Sequence, residues 1–479
     1  MKVEFEAIHV PSCGLDIHKD KIEGSVIDRE GNIHQRTFNT IRMSLYAIKE
    51  WIMSLGCLHV LMESTSVFWI PIFEILEDIT GMDVGVGNAR HMKNIPGRAK
   101  TDKADANWIA RLCMVGFIKK SFVVGRKFRE LKEYTRYHKK LVQERVRQIN
   151  RIEKLLQLNG FKLSSVLSDI AGLSSMRLLE KLCKKGSVTL EEVCSVLDRR
   201  VKKTAHEVEM AINGQMKLTS RILLSKMLKR LSRCDEELSE IYKIMVDISS
   251  EYKSAITLLD SIPGVGELSA MYILAEIGTD MSSFKTSGHI ASWAGLAPKD
   301  NESAGKMKSS RTKKANVYVK SVLVECAWAA VKQRGTRLSN WYWSSVKRIG
   351  DKKAIIAVAR KLLVYIYAML KSGELYNDSL DVADMEKRKA QKLDSAQKTL
   401  EHHSHSSDTQ QCGENIAQAD DIGAAANLPL TNQASQEDIL LTQSHTESGA
   451  QIKGNESTSP KKRGRPRKKA DVSKENNLS

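Results

Sequence analysis

The sequence has little that would suit a disulfide-bonded, zinc-binding or membrane-spanning protein. Its eight cysteines form no Cys-x-x-Cys pair, and no cysteine–histidine spacing fits zinc. We therefore expect reduced thiols and a cytoplasmic protein. The opening MKVEFEAIHV lacks the apolar stretch of a secretory signal. No apolar run reaches the roughly 18 residues that a membrane span needs, which excludes a membrane partner.

Negative charge is also in deficit. The 479 residues include 75 Lys and Arg against 57 Asp and Glu, which gives a formal net charge of +18. The sequence pI is about 9.4. Such a balance predicts an acidic partner, of which nucleic acid is the commonest, although a merely soluble basic protein remains the alternative. The length allows two or three domains.

The first part of the chain, residues 5–120, alternates strand and helix signals. The order is βββαβαβα and opens with a meander, which predicts an α/β domain of the ribonuclease-H-like class. The strands are predicted at 8–17, 21–28, 33–38, 59–62 and 83–86, and the helices at 44–55, 69–76 and 102–114.

Helical periodicity dominates the rest. Residues 121–254 contain two long amphipathic stretches, 126–158 and 224–248, which predict either an antiparallel pair or a dimerisation stalk. Residues 255–375 predict a third, mostly α-helical unit with long helices near 316–331 and 354–370. Residues 390–479 are rich in Gln, Ser, Asn, Asp and Thr, and a tail of this composition is predicted to be disordered.

Four acids stand out within the first domain: Asp16, Glu63, Asp102 and Asp105. Asp16 interrupts a strand-like apolar run, Glu63 ends another, and the last two lie three apart on one helix face. Together they predict a pocket for Mg²⁺, two ions about 4 Å apart, of the kind that cleaves phosphodiesters. Taken singly, each acid is compatible with a surface carboxylate or a helix cap. The neighbouring residues His18, Lys19 and Asp20 are expected to face solvent.

Two further segments suggest contacts with DNA. Ser303 lies in the small-residue loop Asn301-Glu302-Ser303-Ala304-Gly305-Lys306, where a DNA backbone could approach and Lys306 could hold a phosphate. A serine in a polar loop can equally be inert. Gly264 and Gly266, in Ile262-Pro263-Gly264-Val265-Gly266, predict a helix-hairpin-helix that offers backbone N–H groups to phosphate, or else an ordinary helix–helix turn.

The tail ends in a basic run, Pro460-Lys461-Lys462-Arg463-Gly464-Arg465-Pro466-Arg467-Lys468-Lys469. Its Gly-Arg-Pro core around Arg465 is similar to an AT-hook, which lies in the narrow minor groove of A·T-rich DNA. A generic basic tail is the alternative.

These motifs together resemble a known family. Gly14-Leu15-Asp16-Ile17-His18-Lys19, Met62-Glu63-Ser64-Thr65 and Lys100-Thr101-Asp102-Lys103-Ala104-Asp105-Ala106 are similar to the N-terminal domain of DEDD-type insertion-sequence transposases, relatives of the pilin-gene invertases. Ser261-Ile262-Pro263-Gly264-Val265-Gly266 and the serine loop are similar to their C-terminal domain. The likeness spans about residues 10–370. Ala315 before Asn316 departs from the glycine usual there.

The resemblance implies a RuvC-like fold in which the four acids hold metal, and a transposase whose Ser303 becomes joined to DNA. It also implies a bridge RNA that chooses the donor and target sites. We further expect a homo-oligomer, a dimer to a tetramer, in which Ser303 of one subunit works beside the acids of another. The alternatives are a metal-dependent nuclease or Holliday-junction resolvase, and a DNA-binding protein without catalysis.

Overall fold

A mixed five-stranded sheet organises the N-terminal part of the chain. Its strand order is β3-β2-β1-β4-β5, with β1, β2 and β3 antiparallel and β1, β4 and β5 parallel. The strands are β1 Ser12–Ile17, β2 Lys21–Ile27, β3 Ile33–Asn39, β4 His59–Glu63 and β5 Asp83–Gly87. Every residue of β1 is buried, so this central strand is covered on both faces.

The structure is a computed structural model. It describes residues 7–64, 66–89, 92, 101–298, 302–303, 306–307, 311–312, 315–378, 390, 393–394 and 397, with the backbone alone at 302–303 and 306–307. Contacts group residues 1–395 as one unit and 396–479 as another. Apart from residues 390, 393–394 and 397, the predicted disordered tail lies outside the described residues, and so does its Arg465 motif.

Helices cover both faces of the sheet. Helices α1 (Arg42–Ser54) and α2 (Trp69–Glu77) bury their apolar sides on one face, with Ile48, Ile52 and Leu76 in a shared core. Helix α3 (Asp102–Met114) packs on the other face, where its apolar residues meet Leu61 of β4. A helix on each side is what a fully buried central strand requires.

Two long helices form an antiparallel stalk. Helix α4 (Arg126–Leu158) pairs along its length with α8 (Leu218–Ser249). Lys127 meets Glu251 at the base, and Arg145 meets Asp235 farther out. Between the two lie three shorter helices with their own core: α5 (Leu173–Lys185), α6 (Leu190–Val196) and α7 (Ala205–Ala211). The predicted antiparallel pair is confirmed.

The remaining helices gather at the base of the stalk. They are α9 (Lys253–Asp260), α10 (Glu267–Ile277), α11 (Ser287–Trp293), α12 (Val317–Lys332), α13 (Arg337–Ile349) and α14 (Asp351–Ser372). Their core includes Phe128 and Leu131 from the start of α4. Phe122, just after the sheet domain, packs against Phe284 and meets the ring of Trp293 edge to face. Because α8 returns the chain to this base, the stalk does not carry the C-terminal helices away along its length.

The predicted α/β beginning and helical remainder are confirmed, and within the described residues the βββαβαβα order holds. The first strand begins at Ser12 instead of Ile8, since Pro11 lies immediately before it and proline cannot donate to a ladder. Helix α13 was not predicted. Among the described residues, none of the helices combines the length and apolar character that a membrane span requires.

Candidate active site

Three carboxylates point from the sheet toward helix α3. Gly14 on β1 lets the helix approach closely, because a Cβ there would stand 2.2 Å from the Ala110 nitrogen. Asp16, two residues on, shares that face of the strand. Glu63 ends β4, two residues after Leu61, which packs on α3. Asp16 and Glu63 are each 4 % exposed.

The third sheet carboxylate, Glu23, was missed by the sequence analysis. It stands directly opposite Asp16 in the antiparallel register of β1 and β2 and is 5 % exposed. Thr37 on β3 donates a hydrogen bond to Glu23 Oε2 at 2.7 Å. An acid within the segment Ile22–Ile27, in which Ser25 is the one other polar residue, was the available signal. Its position opposite Asp16 depends on the short turn at 18–20, which sets the register.

The other two predicted acids lie in the first turn of α3. Thr101 caps this helix, and its side-chain oxygen accepts a hydrogen bond from the Ala104 N–H at 3.3 Å. This leaves Asp102 and Asp105 near the positive end of the helix dipole, a position that stabilises carboxylates. Asp102 is partly exposed, with 41 % of its side chain accessible.

Two basic side chains lie among these acids. His18 Nε2 is 3.0 Å from Asp16 Oδ2 and 3.6 Å from Asp102 Oδ1. Lys21 Nζ is 2.5 Å from Asp102 Oδ2 and 3.5 Å from Glu23 Oε1. The expectation that His18 simply faces solvent was therefore wrong. It is partly exposed, but it bridges two acids because the turn at 18–20 folds back toward α3.

The electrostatics of the pocket fit a cation. Burial raises the pKa of Asp16 above its ordinary value; His18 partly offsets this, while Glu63 and Asp105 add to the rise. A hydrogen bond from Lys21 lowers the pKa of Asp102. Ligand atoms of Asp16, His18 and Asp102 lie within 4.8 Å of one another, close enough to share one ion. Oxygen-rich donors of this kind suit a hard divalent cation.

Ser303 belongs to a separate small hairpin. Strand β6 (Glu302–Ser303) pairs with β7 (Lys306–Met307), so that Ser303 stands opposite Lys306. The side chains of both lie outside the described residues, and the placement of the Ser303 hydroxyl beside the acids stays a prediction. At the base of the hairpin, Pro298 forms a β-bridge with Thr312.

A lysine holds the two ends of the serine segment together. Lys320 on α12 donates to the Gly295 carbonyl at 3.0 Å and to Thr312 Oγ1 at 2.8 Å. One cationic side chain thus ties the residues that precede the hairpin to those that follow it. The backbone at the foot of the hairpin is thereby fixed to α12.

A buried ion cluster, also missed, holds the start of α12. Glu276 on α10 is 2 % exposed and accepts hydrogen bonds from Arg136 Nε at 2.8 Å and Asn316 Nδ2 at 2.6 Å. Lys132 Nζ lies 3.2 Å away. The Asn316 side chain in turn accepts from the N–H groups of Tyr318 and Val319, which caps α12. The stalk helix α4 is therefore linked to the helix that follows the serine hairpin.

The predicted hairpin glycines differ in environment. Gly264 has a φ of +86°, and a Cβ there would stand 2.4 Å from the Ala330 nitrogen of α12. Position 264 therefore requires glycine, because any side chain there would prevent the close packing of α12. Gly266 is the N-cap of α10, and a Cβ at this position would meet no atom within 4 Å. This leaves Gly266 as the more accessible of the two for a phosphate.

Two parts of the chain match known transposase families. Residues 13–159 match a family described as a transposase, and residues 256–342 match the family "Transposase IS116/IS110/IS902 family". The first match includes Asp16, Glu63, Asp102 and Asp105, and the second includes Gly264 and Ser303.

Among similar proteins, the transposase for insertion sequence element IS1111A of Coxiella burnetii is 25 % identical over 76 % of this chain and 90 % of its own length. The IS110 element protein of Streptomyces coelicolor, an uncharacterized 43.6 kDa protein, is 26 % identical over 60 % of this chain and 74 % of its own. The pilin gene-inverting protein of Moraxella bovis is 26 % identical over 28 % of this chain and 42 % of its own.

Proposed function

We propose that this chain, which belongs to the DEDD-type insertion-sequence transposases, cuts and rejoins DNA with a Mg²⁺-dependent acid pocket and Ser303. That it is a DNA transposase follows from the family. The metal, the nucleophile, a bridge RNA and an oligomeric assembly are proposals. The observation that carries the metal site is the convergence of buried Asp16 and Glu63 with Asp102, where the ends of β1 and β4 meet the start of α3.

The acid pocket would hold the divalent cations. Asp16, Glu63, Asp102 and Asp105 supply oxygen ligands, and bound Mg²⁺ would polarise the scissile phosphate and stabilise the leaving oxygen. Lys21 neutralises part of the pocket's charge and must give way when a cation binds Asp102, because its ammonium contacts that carboxylate. Glu23 lies within reach of Lys21 and can receive it.

Ser303 would be the nucleophile. Its Oγ loses its proton and forms a bond to phosphorus while one bridging P–O bond of the DNA breaks. The released deoxyribose hydroxyl takes up a proton. A hydroxyl of another strand can then attack the serine phosphodiester and release Ser303, which rejoins the DNA without loss of the phosphodiester bond. Lys306, opposite Ser303 in the hairpin register, would contact the phosphate.

A covalent adduct tests this role. Full-length protein incubated with element ends and Mg²⁺ should form a protein–DNA species that survives denaturation. Ser303→Ala should abolish the adduct, and Ser309→Ala, in the same segment, should not. If cleavage gives free 5′-phosphates and no adduct, the protein is a metal-dependent nuclease or resolvase and Ser303 is only a loop residue. If Asp102→Ala leaves recombination intact, the acids are not catalytic.

The guide RNA is a separate proposal, supported by the family alone. Sequencing of RNA that co-purifies with the full chain should recover a structured transcript whose loops match the donor and target sites. Changing those loops should move the insertion site. Recovery of no specific RNA, together with recombination by nuclease-treated protein, would refute the guide while leaving the serine chemistry standing.

The shared active site can also be tested by mixing. Ser303→Ala and Asp102→Ala proteins should each be inactive, and their mixture should regain some cleavage if one subunit's serine works beside another's acids. Mixed oligomers must first be demonstrated with two affinity tags. Failure to recover any cleavage in proven mixed oligomers would mean that each subunit builds its own site.

A further inference from the structure

An exposed aromatic cluster lies on α12 and α13, in the C-terminal helices. Of the seven tryptophans, all of them within the described residues, Trp328 and Trp343 are the two that count as exposed, at 39 % and 45 %. Tyr342 lies between them, with ring centroids 6.0 Å from Trp328 and 5.2 Å from Trp343. Large aromatic rings are costly to leave in water, so two exposed rings that pack against the same tyrosine suggest a contact surface.

The cluster is rigid. Tyr342 is buried, and its hydroxyl donates to Asp351 at the start of α14. Its ring stands nearly perpendicular to that of Trp343, at 87°, and so supports it edge-on. Because Trp328 and Trp343 sit on two helices packed through this ring, little conformational freedom remains to be lost when a ligand stacks on them.

Positive charge surrounds the rings. The Arg334 guanidinium lies 4.0 Å from the Trp343 ring centroid, a cation–π contact. Lys332 and Lys347 are exposed and stand four residues after Trp328 and Trp343, on the same helix faces. Residues 325–353 contain seven basic residues and two acidic ones. Both acids are engaged, Glu325 with Lys139 and Asp351 with Tyr342.

We propose that Trp328, Trp343 and Arg334 form a binding site for unpaired nucleotides, whose bases stack on the tryptophans and whose phosphates meet the surrounding cations. Aromatic rings beside basic side chains are the usual means of holding single strands, since every base has a face that can stack. Bases within a duplex already stack on one another and cannot use the rings. The site goes beyond strand cleavage, because it needs neither metal nor Ser303.

Binding can be measured without catalysis. Full-length protein in EDTA is titrated with labelled 12-nucleotide single strands, oligo-dT and oligo-U, and with a 12-base-pair duplex. Quenching of tryptophan fluorescence should accompany single-strand binding. Trp343→Ala and Trp328→Ala should each weaken single-strand binding about fivefold to a hundredfold, as loss of a base-stacking ring does. Duplex binding should change less than about twofold, since charge dominates it.

Controls separate the alternatives. Phe117→Ala removes a still more exposed ring, 61 % accessible, from the sheet domain and should have no effect. Trp343→Phe should restore most of the affinity that Trp343→Ala loses. A stronger loss with oligo-U than with oligo-dT would identify RNA as the source of the unpaired nucleotides, and the reverse would identify DNA. An equal loss for single strand and duplex would overturn the proposal. A variant with both Trp328→Ala and Trp343→Ala that binds single strands like the wild type but sediments as a smaller oligomer would also overturn it. The surface would then be a contact between copies of the chain.

Discussion

Two buried carboxylates, Asp16 on the sheet and Glu276 in the C-terminal helices, have nearly the same exposure and opposite electrostatics. Burial would raise the pKa of Glu276, but the Arg136 hydrogen bond and the charges of Lys132 and Arg136 outweigh it, and the net shift is downward. At Asp16 burial prevails over His18, and the net shift is upward. Charge compensated by the protein itself indicates a structural role, whereas charge left partly uncompensated indicates a place for an external cation.

The largest expected effect is on the rate of DNA cleavage, which should depend on Asp16 far more than on Glu276. Asp16→Asn should reduce DNA cleavage about a thousandfold or more, because the pocket loses a metal ligand on which charge stabilisation depends. Glu276→Gln should retain cleavage within about tenfold, since it acts only by holding α12. Rates of cleavage are measured with saturating Mg²⁺ on uncut DNA that carries the element ends. Comparable losses of cleavage rate in both variants would contradict the distinction between a catalytic Asp16 and a structural Glu276.

The second expected effect is on stability, where loss of the Glu276 carboxylate should be more harmful than loss of the Asp16 carboxylate. Glu276→Gln leaves the charges of Lys132 and Arg136 without their acid and should lower the free energy of unfolding by about 2 kcal/mol, less than for a fully buried pair because Arg136 is partly exposed. Urea unfolding is the measurement. Glu133→Gln, an exposed acid on α4, is the matched control and should change stability by less than about 0.5 kcal/mol.

The sequence predicted the sheet well because its information is local. Apolar runs and turns defined β2 to β5, and the helical spacing of residues 102–114 placed the start of α3 at Asp102. Asp16 was found because an acid inside an apolar strand is costly. Glu23 was missed because its burial depends on pairing opposite Asp16. That pairing is set by the register of β1 and β2, which apolar patterns alone do not define.

Glu276 was missed because its partners are distant in sequence. Arg136 lies 140 residues before it and Asn316 lies 40 residues after it, so no local pattern announces the cluster. Helix α13 was missed for another reason: its three aromatics and four hydroxyl or amide residues between 339 and 345 dilute the helical signal. The packing of Tyr342 against Trp328 and Trp343 depends, like the Glu276 cluster, on the tertiary fold, so no local pattern predicts it.

A third test compares the stability of the wild type and Asp16→Asn with and without Mg²⁺, and needs no catalysis. In EDTA, Asp16→Asn should raise the free energy of unfolding by up to about 1 kcal/mol, because the carboxylate is buried beside Glu63 and Asp105. Added Mg²⁺ should stabilise the wild type and leave this variant unchanged, since only a folded pocket binds the ion. Thermal unfolding at increasing Mg²⁺ measures both effects. A variant that is less stable than the wild type in EDTA would show that the protein already compensates Asp16.

The smallest expected effect is the pH dependence of the Glu276 cluster. The pKa of Glu276 is lowered from its ordinary 4.5, so its contribution is fully present above pH 4.5 and is lost as pH falls through the lower pKa of the folded state. The stability gap between wild type and Glu276→Gln should therefore be constant from pH 7 to 5 and narrow below 4.5. Urea unfolding of both proteins across pH 3.5–7 in EDTA measures the gap. Because a carboxyl with a raised pKa is destabilising when ionised, the corresponding gap at Asp16 has the opposite sign. A Glu276 gap that widened in acid would mean that Arg136 and Lys132 do not compensate the carboxylate, and Glu276 would then resemble Asp16.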